Sequence, residues 1–446
     1  MKINKITVNN LFGVFNHSIS INNDIGITII IGENGLGKTV MLEMIEAFFK
    51  GRYLYFSNVS FDEMIFEFED KVKWVLTKEI NNVESPRLSL SQVNKNGKRF
   101  KSIELYEYEP EQLELIARRI GRSYNHLSRI HPKYWEDRRT GEKLSAEELV
   151  YNYSNHSIHS KYQLQLGFSN EEKPKWFTDK FEIINVSLIE TQRLISLNQK
   201  DENNQERTVE RYAKDLSRTI KKYLTESTEL SSKLDRTYPN RLIDRLKNST
   251  NITKEFLNEE LKRLEAKRET LDVAGLIEIE KDSNLLAIEN PGNEIIDVLM
   301  LYVEDSFEKI KIFDTLSRKI EILLDIINKR FKHKKLVIDK EEGFLFKSTI
   351  LKNNEDEPQI ISVNQLSSGE QNELVLFYIL LFKTKKNSLI LIDEPEVSLH
   401  ISWQNSFIED LKEITKLNNL DILIATHSPD IIANNWNLKV ELKGLE

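Results

Sequence analysis

Gly32-Glu33-Asn34-Gly35-Leu36-Gly37-Lys38-Thr39 fills every fixed position of the phosphate-loop pattern G-x-x-x-x-G-K-[ST]. Upstream, Ile27, Ile29 and Ile31 lie in a continuous apolar run that predicts a buried strand. Downstream, Val40, Met41, Met44, Ile45, Phe48 and Phe49 recur at helical spacing. The order strand, glycine-rich loop, helix turns backbone N–H groups and a helix N-terminus toward one anion. In this reading Gly32, Asn34, Gly35 and Gly37 shape the cradle, Lys38 reaches the β- and γ-phosphates, and Thr39 binds magnesium.

Far downstream, Ser388-Leu389-Ile390-Leu391-Ile392-Asp393-Glu394-Pro395 predicts a buried strand that delivers two adjacent carboxylates at its C-terminal end. Consecutive strand residues point in different directions. Asp393 is therefore expected to help hold magnesium while Glu394 faces the attacking water, accepting its proton or polarising it. Without the phosphate loop the same pair would read as an acidic turn after a core strand. Between the two lies Asn364-Gln365-Leu366-Ser367-Ser368-Gly369-Glu370-Gln371, a helix start that leads into the apolar helix Leu374 to Phe382. Ile422-Leu423-Ile424-Ala425 is a further apolar strand, and it sets His427 at a strand end, where α/β sheets collect ligands.

The remaining chain predicts an insertion and a helical lobe. Phe61 to Tyr108 alternates as strands, with Met64, Phe66 and Phe68, then Val72, Trp74 and Leu76, and turn signals at Asn81-Asn82 and Asn96-Gly97. An antiparallel β subdomain follows from that pattern. Pro110 to Lys180 mixes helices with a polar loop holding Trp135, Asp137, Arg138, Arg139 and Gly141. Ile183 to Ile189 has the length and β-branched content of a central strand and ends at Glu190-Thr191-Gln192-Arg193. From about Arg207 to Leu271 a charged helical pattern carries Tyr212, Leu216, Ile220 and Tyr223 on one face and Leu257, Leu261 and Leu264 on another, separated at Pro239. Leu299 to Phe331 adds more than one helix, and the whole is too interrupted for a long coiled coil. The expected fold is α/β: a head with a mixed-sheet core and an antiparallel β subdomain, split by an inserted α-helical lobe. Its expected segments are 1–110 for the first half of the head, 111–180 for an insertion, 181–200 for a returning strand, 201–332 for the lobe and 333–446 for the second half.

Composition narrows the class. At 446 residues the chain exceeds the size at which one core stops growing, and its 39% hydrophobic and 30% charged residues suit a globular protein with much exposed helix. The apolar run Leu374 to Phe382 is about half the roughly 20 residues that cross a bilayer, and MKINKITVNN has no secretory pattern. A cytoplasmic protein with no membrane partner is expected. The absence of cysteine excludes disulfides, thiolate metal sites and cysteine nucleophiles. A net charge of −8 argues against indiscriminate polyanion binding and leaves a local basic face open.

Together these motifs resemble the ABC-type ATPases. Leu366 to Glu370 resembles their signature, in which a serine hydroxyl and glycine amides at a helix N-terminus bind the γ-phosphate held by the opposite subunit; this implies that role for Ser367, Ser368 and Gly369. Gln192 resembles the glutamine linking magnesium and the nucleophilic water, Glu396-Val397-Ser398-Leu399-His400 the D-loop at the dimer seam, and His427 the switch histidine. Ser368 departs from the glycine most common at the signature's third position, and Val40 stands where a second small hydroxyl often follows the phosphate loop. The resemblance implies ATP and Mg2+ as ligands, a homodimer or higher homo-oligomer joined through the heads, and hydrolysis served by Lys38, Glu394 and His427.

The wide separation of Thr39 from Leu366 is similar to the chromosome-maintenance, RecF, RecN and overcoming-lysogenisation-defect classes rather than to transporter cassettes. The last of these continue into a Toprim nuclease domain, for which no room is expected before Glu446. Asn10-Leu11-Phe12-Gly13, Ile189 to Leu194 and Asp421 to Leu442 most resemble the AriA ATPases of PARIS anti-phage systems, with the PtuA ATPases of Septu next. That resemblance implies a subunit that restrains a separately encoded nuclease or toxin, of which the Toprim type is one, and releases it when a phage trigger is sensed. The alternative is a recombination or repair ATPase that clamps DNA through Arg236, Arg241, Arg245, Lys262, Arg263, Lys267 and Arg268 of the lobe.

Overall fold

The computed structural model describes residues 2–79, 87–105, 110–131, 134–139, 142–146, 149–150, 153, 174–190, 208–248, 252–278 and 292–444. The chain divides into two compact units, Met1–Arg193 with Thr384–Glu446, and Leu194–Lys383. Among the described residues no helix is long and apolar enough to cross a membrane.

The first unit opens with a hairpin of β1 (Ile3–Leu11) and β2 (Phe15–Ser20). Strand β3 (Ile27–Ile31) then runs through the phosphate loop into helix α1 (Lys38–Phe49). Strands β4 (Glu63–Phe68), β5 (Lys73–Glu79), β6 (Arg87–Val93) and β7 (Ile103–Leu105) join the hairpin in a six-stranded antiparallel sheet ordered β2-β1-β4-β5-β6-β7. Alternation is the cause: Met64, Phe66 and Phe68 turn inward while Glu63, Ile65 and Glu67 remain half-exposed, so that Met64 sits opposite Leu76 and Phe66 opposite Trp74. The Asn96-Gly97 signal forms a turn in which Gly97 N–H donates to the Asn94 carbonyl; Asn81-Asn82 lies outside the described residues. Helix α1 fills the space behind this sheet, with Phe48 stacked on Phe66 at 4.8 Å between ring centroids.

Helix α2 (Pro110–Ser123) and strands β8 (Leu127–His131), β9 (Tyr134–Asp137) and β10 (Glu142–Ser145) make a small element with its own core of Leu113, Ala117, Ile120, Trp135 and Leu149. The stretch expected to be a polar loop is thus partly strand. Trp135 and Asp137 both face inward, and a carboxylate is tolerated there because Arg139 binds it through two nitrogens, at 3.1 and 2.7 Å. Those hydrogen bonds hold the Asp137 carboxyl well below its usual range. Gly141 lies outside the described residues. Helix α3 (Lys175–Phe181) leads to β11 (Asn185–Glu190).

In the second unit, α4 (Thr208–Lys247) is one helix of 40 residues with Pro239 inside it. Pro239 therefore does not separate two helices. A mid-helix proline costs about 3 kcal/mol through its lost N–H and ring clash, and tertiary contacts offset this. Arg241 pairs with Asp305 of α6 (Asn293–Lys311) and also donates to the Leu234 carbonyl at 2.9 Å, while Arg245 reaches Glu304 at 2.7 Å. The second apolar face begins only with α5 (Lys254–Val273), capped by Thr253. After α7 (Asp314–Arg330), strands β12 (Lys334–Asp339), β13 (Gly343–Lys352) and β14 (Pro358–Ile361) form an antiparallel sheet packed on α4. The signature segment opens α8 (Ser368–Tyr378).

The first unit is completed by β15 (Ser388–Asp393), α9 (Ile401–Asn418), β16 (Asp421–Ala425) and β17 (Lys439–Glu441). Its second sheet is parallel and ordered β11-β15-β16-β3-β17. Strand β11, expected to be central, is an edge strand of that sheet: it pairs with β15 and gains its burial from α1 rather than from a second neighbour. The order brings the C-terminal ends of β15, β16 and β3 side by side.

Among the described glycines of the second unit, Gly343 is the most closely approached: at φ +82°, a Cβ there would lie 1.8 Å from the Ala213 carbonyl oxygen. Gly343→Ala is expected to destabilise this unit by about 2–4 kcal/mol, since backbone must move. Gly292→Ala, in open space at the N-cap of α6, costs no more than about 1 kcal/mol. Urea unfolding of both variants measures the difference.

Candidate active site

The phosphate loop leaves β3 and closes on α1 at Gly37, whose φ of +84° and N-cap position suit glycine. A side chain there would meet Leu11 Cδ2 at 2.8 Å and Phe12 Cε2 at 3.0 Å, so the β1–β2 hairpin lies directly against the loop. Lys38 is only 6% exposed. Its ammonium donates to the Gly32 and Glu33 carbonyls at 2.8 and 3.0 Å and stands 3.4 Å from His427 Nδ1. Burial lowers its pKa, and the charges of Glu394, Asp393 and Glu396 oppose that shift.

Three strand ends supply the rest. From the first turn of α1, which the loop after β3 leads into, Thr39 Oγ1 donates to Asp393 Oδ1 at the end of β15, at 3.2 Å. Burial pushes the Asp393 carboxyl up to about 6; the Thr39 hydrogen bond works against this, and the neighbouring carboxylates Glu394, Glu43 and Glu396 add to it. A hydroxyl and a carboxylate at this spacing suit Mg2+, which takes oxygen donors and is usually completed by water and substrate phosphates. Glu394 diverges from Asp393 for a different reason than strand alternation. The strand ends at Asp393, and Glu394 adopts a left-handed conformation, φ +45° and ψ +58°, with its N–H donating to the Ala425 carbonyl. His427 follows β16, and its Nε2 lies 3.9 Å from Glu394 Oε1.

Glu396, the first residue of the segment that resembles a D-loop, has its carboxylate engaged by the turn after β16. It accepts from the Thr426 hydroxyl at 2.8 Å and from the His427 backbone N–H at 2.7 Å, so it fixes the turn that carries the histidine. No local sequence signal marks that role, because the partners lie about 30 residues further on.

Lys38, Thr39, Asp393, Glu394 and His427 are thus brought together within the first unit, beside Gly32, Asn34, Gly35 and Gly37. Ser367, Ser368 and Gly369 belong to the second unit. Ser367 caps α8 in a reciprocal box: its backbone N–H and hydroxyl donate to Glu370 at 2.9 and 3.0 Å, and Lys334 neutralises that carboxylate at 2.9 Å. Ser367 and Ser368 are exposed, and nothing lies within 4 Å of the open position of Gly369. Gln192 lies outside the described residues.

A family profile described as an AAA ATPase domain matches residues 1–432. The chain belongs to that family. Membership makes it an ATPase-type nucleotide-binding protein. Relatives of the family's kind are similar over shorter stretches: UvrABC system protein A of Mycoplasma genitalium is 26% identical over 34% of this chain and 13% of its own length. A probable iron chelatin transport ATP-binding protein of Helicobacter pylori is 32% identical over 18% of this chain and 31% of its own. This chain therefore spans well under half of either relative. The Smc head domain of Pyrococcus furiosus, solved with an extended coiled coil and the C-terminal domain of ScpA, aligns over 97% of this chain and 91% of that one. Its identity is 15% and its TM-score 0.34, too low to carry an argument.

Removing the Glu396 anchor should loosen His427 more than it disturbs the phosphate cradle, where Lys38 keeps its two loop carbonyls. Glu396→Ala is expected to lower kcat for ATP by roughly 100-fold, the scale of a small misplacement near the chemistry, with ATP affinity held within about 3-fold. Steady-state hydrolysis and equilibrium nucleotide titration read the two effects separately, and an unchanged kcat would show that His427 keeps its place unaided.

Proposed function

We propose that this chain is an ABC-type, Mg2+-dependent ATPase whose complete sites form when two copies meet head to head. One observation carries the reading. A phosphate loop, a candidate metal carboxylate, a candidate base and a histidine converge in one unit, while a solvent-open helix N-terminus with Ser367 and Gly369 lies in the other. In each site Lys38 and Thr39 of one copy and Ser367 and Gly369 of the other hold the phosphates. Mg2+, when bound at Thr39 and Asp393, neutralises phosphate charge. Glu394 orients or deprotonates water, and His427 stands by the same phosphate end.

As the finer reading, the chain is the regulatory ATPase of an anti-phage system, holding a separately encoded nuclease or toxin until a trigger arrives. The motif resemblance supports this. The DNA-clamp alternative is weakened at five of its seven basic residues: Arg241, Arg245, Arg263, Lys267 and Arg268 are each paired with acidic side chains of the same unit. Phosphates would have to displace those partners, whereas DNA affinity draws on cations able to release counterions.

Glu394→Gln is expected to retain ATP binding, accumulate as an ATP-dependent dimer in light scattering, and lose about 100-fold or more in hydrolysis. Parental turnover in that variant removes Glu394 from the mechanism. The composite site has its own test. Lys38→Ala and Gly369→Arg chains, each inactive alone, should regain activity when mixed, because a mixed dimer holds one intact site; no recovery argues for sites complete within one chain. Co-expression with the product of the neighbouring gene tests the regulatory reading, which fails if the two neither co-purify nor show trigger-dependent toxicity.

A further inference from the structure

His17, in the middle of β2, is 2% exposed and lies outside every motif of the site. Its ring stacks on Phe15 at 5.5 Å, and its Nε2 lies 2.8 Å from the Leu36 carbonyl oxygen, inside the phosphate loop. A carbonyl only accepts, so Nε2 carries the proton and donates it. In a trans peptide the C=O and the following N–H point in opposite directions. Holding the Leu36 carbonyl toward His17 therefore points the Gly37 N–H away from His17, within the loop whose N–H groups the motif turns toward an anion. Leu11 and Phe12 of the same hairpin fix the other side of Gly37.

We propose that His17 is a positioning residue for nucleotide binding, a buried donor that locks the Leu36–Gly37 peptide in its phosphate-binding orientation. The proposal rests on the reading of residues 32–39 as the phosphate site. Burial, the largest influence, lowers the His17 pKa, and the bond to Leu36 opposes it; the neutral ring is the form that occupies such a site. A glycine-rich loop has many backbone states of similar energy. One fixed peptide plane removes a share of that freedom before ligand arrives, and the effect belongs in affinity rather than in the chemical step.

The test compares two substitutions in the full chain. His17→Phe keeps the ring and its stack on Phe15 but has no donor, and should weaken ATP and ADP binding about tenfold, raising KM with kcat nearly unchanged. His17→Gln can place a carboxamide N–H where Nε2 stood and should bind within about 3-fold of the parent. Equal loss in both variants, or parental affinity in His17→Phe, overturns the proposal. Lys38→Ala is run beside them. If it too binds normally, the phosphate-loop reading fails as well; if it alone weakens binding, only the role of His17 fails. Should the Phe variant not fold, 15N-histidine spectra of the parent chain decide. An Nε2–H tautomer whose signal shifts on adding MgADP supports the proposal, and an Nδ1–H tautomer or an unresponsive signal overturns it.

Discussion

A nearly buried ammonium has to be surrounded by oxygen, and much of the first unit is arranged around that need. Lys38 is met by two carbonyls of its own loop and by the field of three carboxylates. The parallel strand order makes the cluster possible, since only adjacent β3, β15 and β16 can present Thr39, Asp393 and His427 at one edge. Helix α1 ties that edge to the antiparallel sheet through Phe48 and Phe66, so a single apolar core supports both the loop and its covering hairpin.

The second unit solves a related problem at a helix start. Ser367 caps α8 through its hydroxyl while the Glu370 carboxylate folds back onto it, and Lys334 keeps that carboxylate in place. Deeper in the same helix Glu373 is fully buried against Arg330, while Tyr378 hydrogen-bonds Asp215 of α4 at 2.6 Å. The helix that would face a nucleotide is thereby joined to α4 and to the end of α7. A shift in either of those helices has polar contacts through which to reach Ser367.

The sequence made the loop, the paired carboxylates and the strand-end histidine legible because each is local: its residues are contiguous and its periodicity is intact. What it concealed was settled at a distance. Pro239 reads as a break until Asp305 and Glu304 hold α4 against α6. Trp135 and Asp137 read as loop because a buried carboxylate is implausible without Arg139 over it. Strand β11 has central-strand composition, but the neighbour that buries it is a helix, and neither the turning of Glu396 toward His427 nor the reach of His17 to Leu36 leaves a pattern in the chain.

Glu394 has a consequence of another kind. A glutamate in the left-handed region carries about 1–3 kcal/mol of backbone strain, which glycine at the same place would shed. The most comfortable residue for this turn is therefore one with no carboxylate at all. Under the role proposed for Glu394, a screen for thermal tolerance alone would be drawn toward that replacement and away from turnover, so one dihedral angle would set the two against each other.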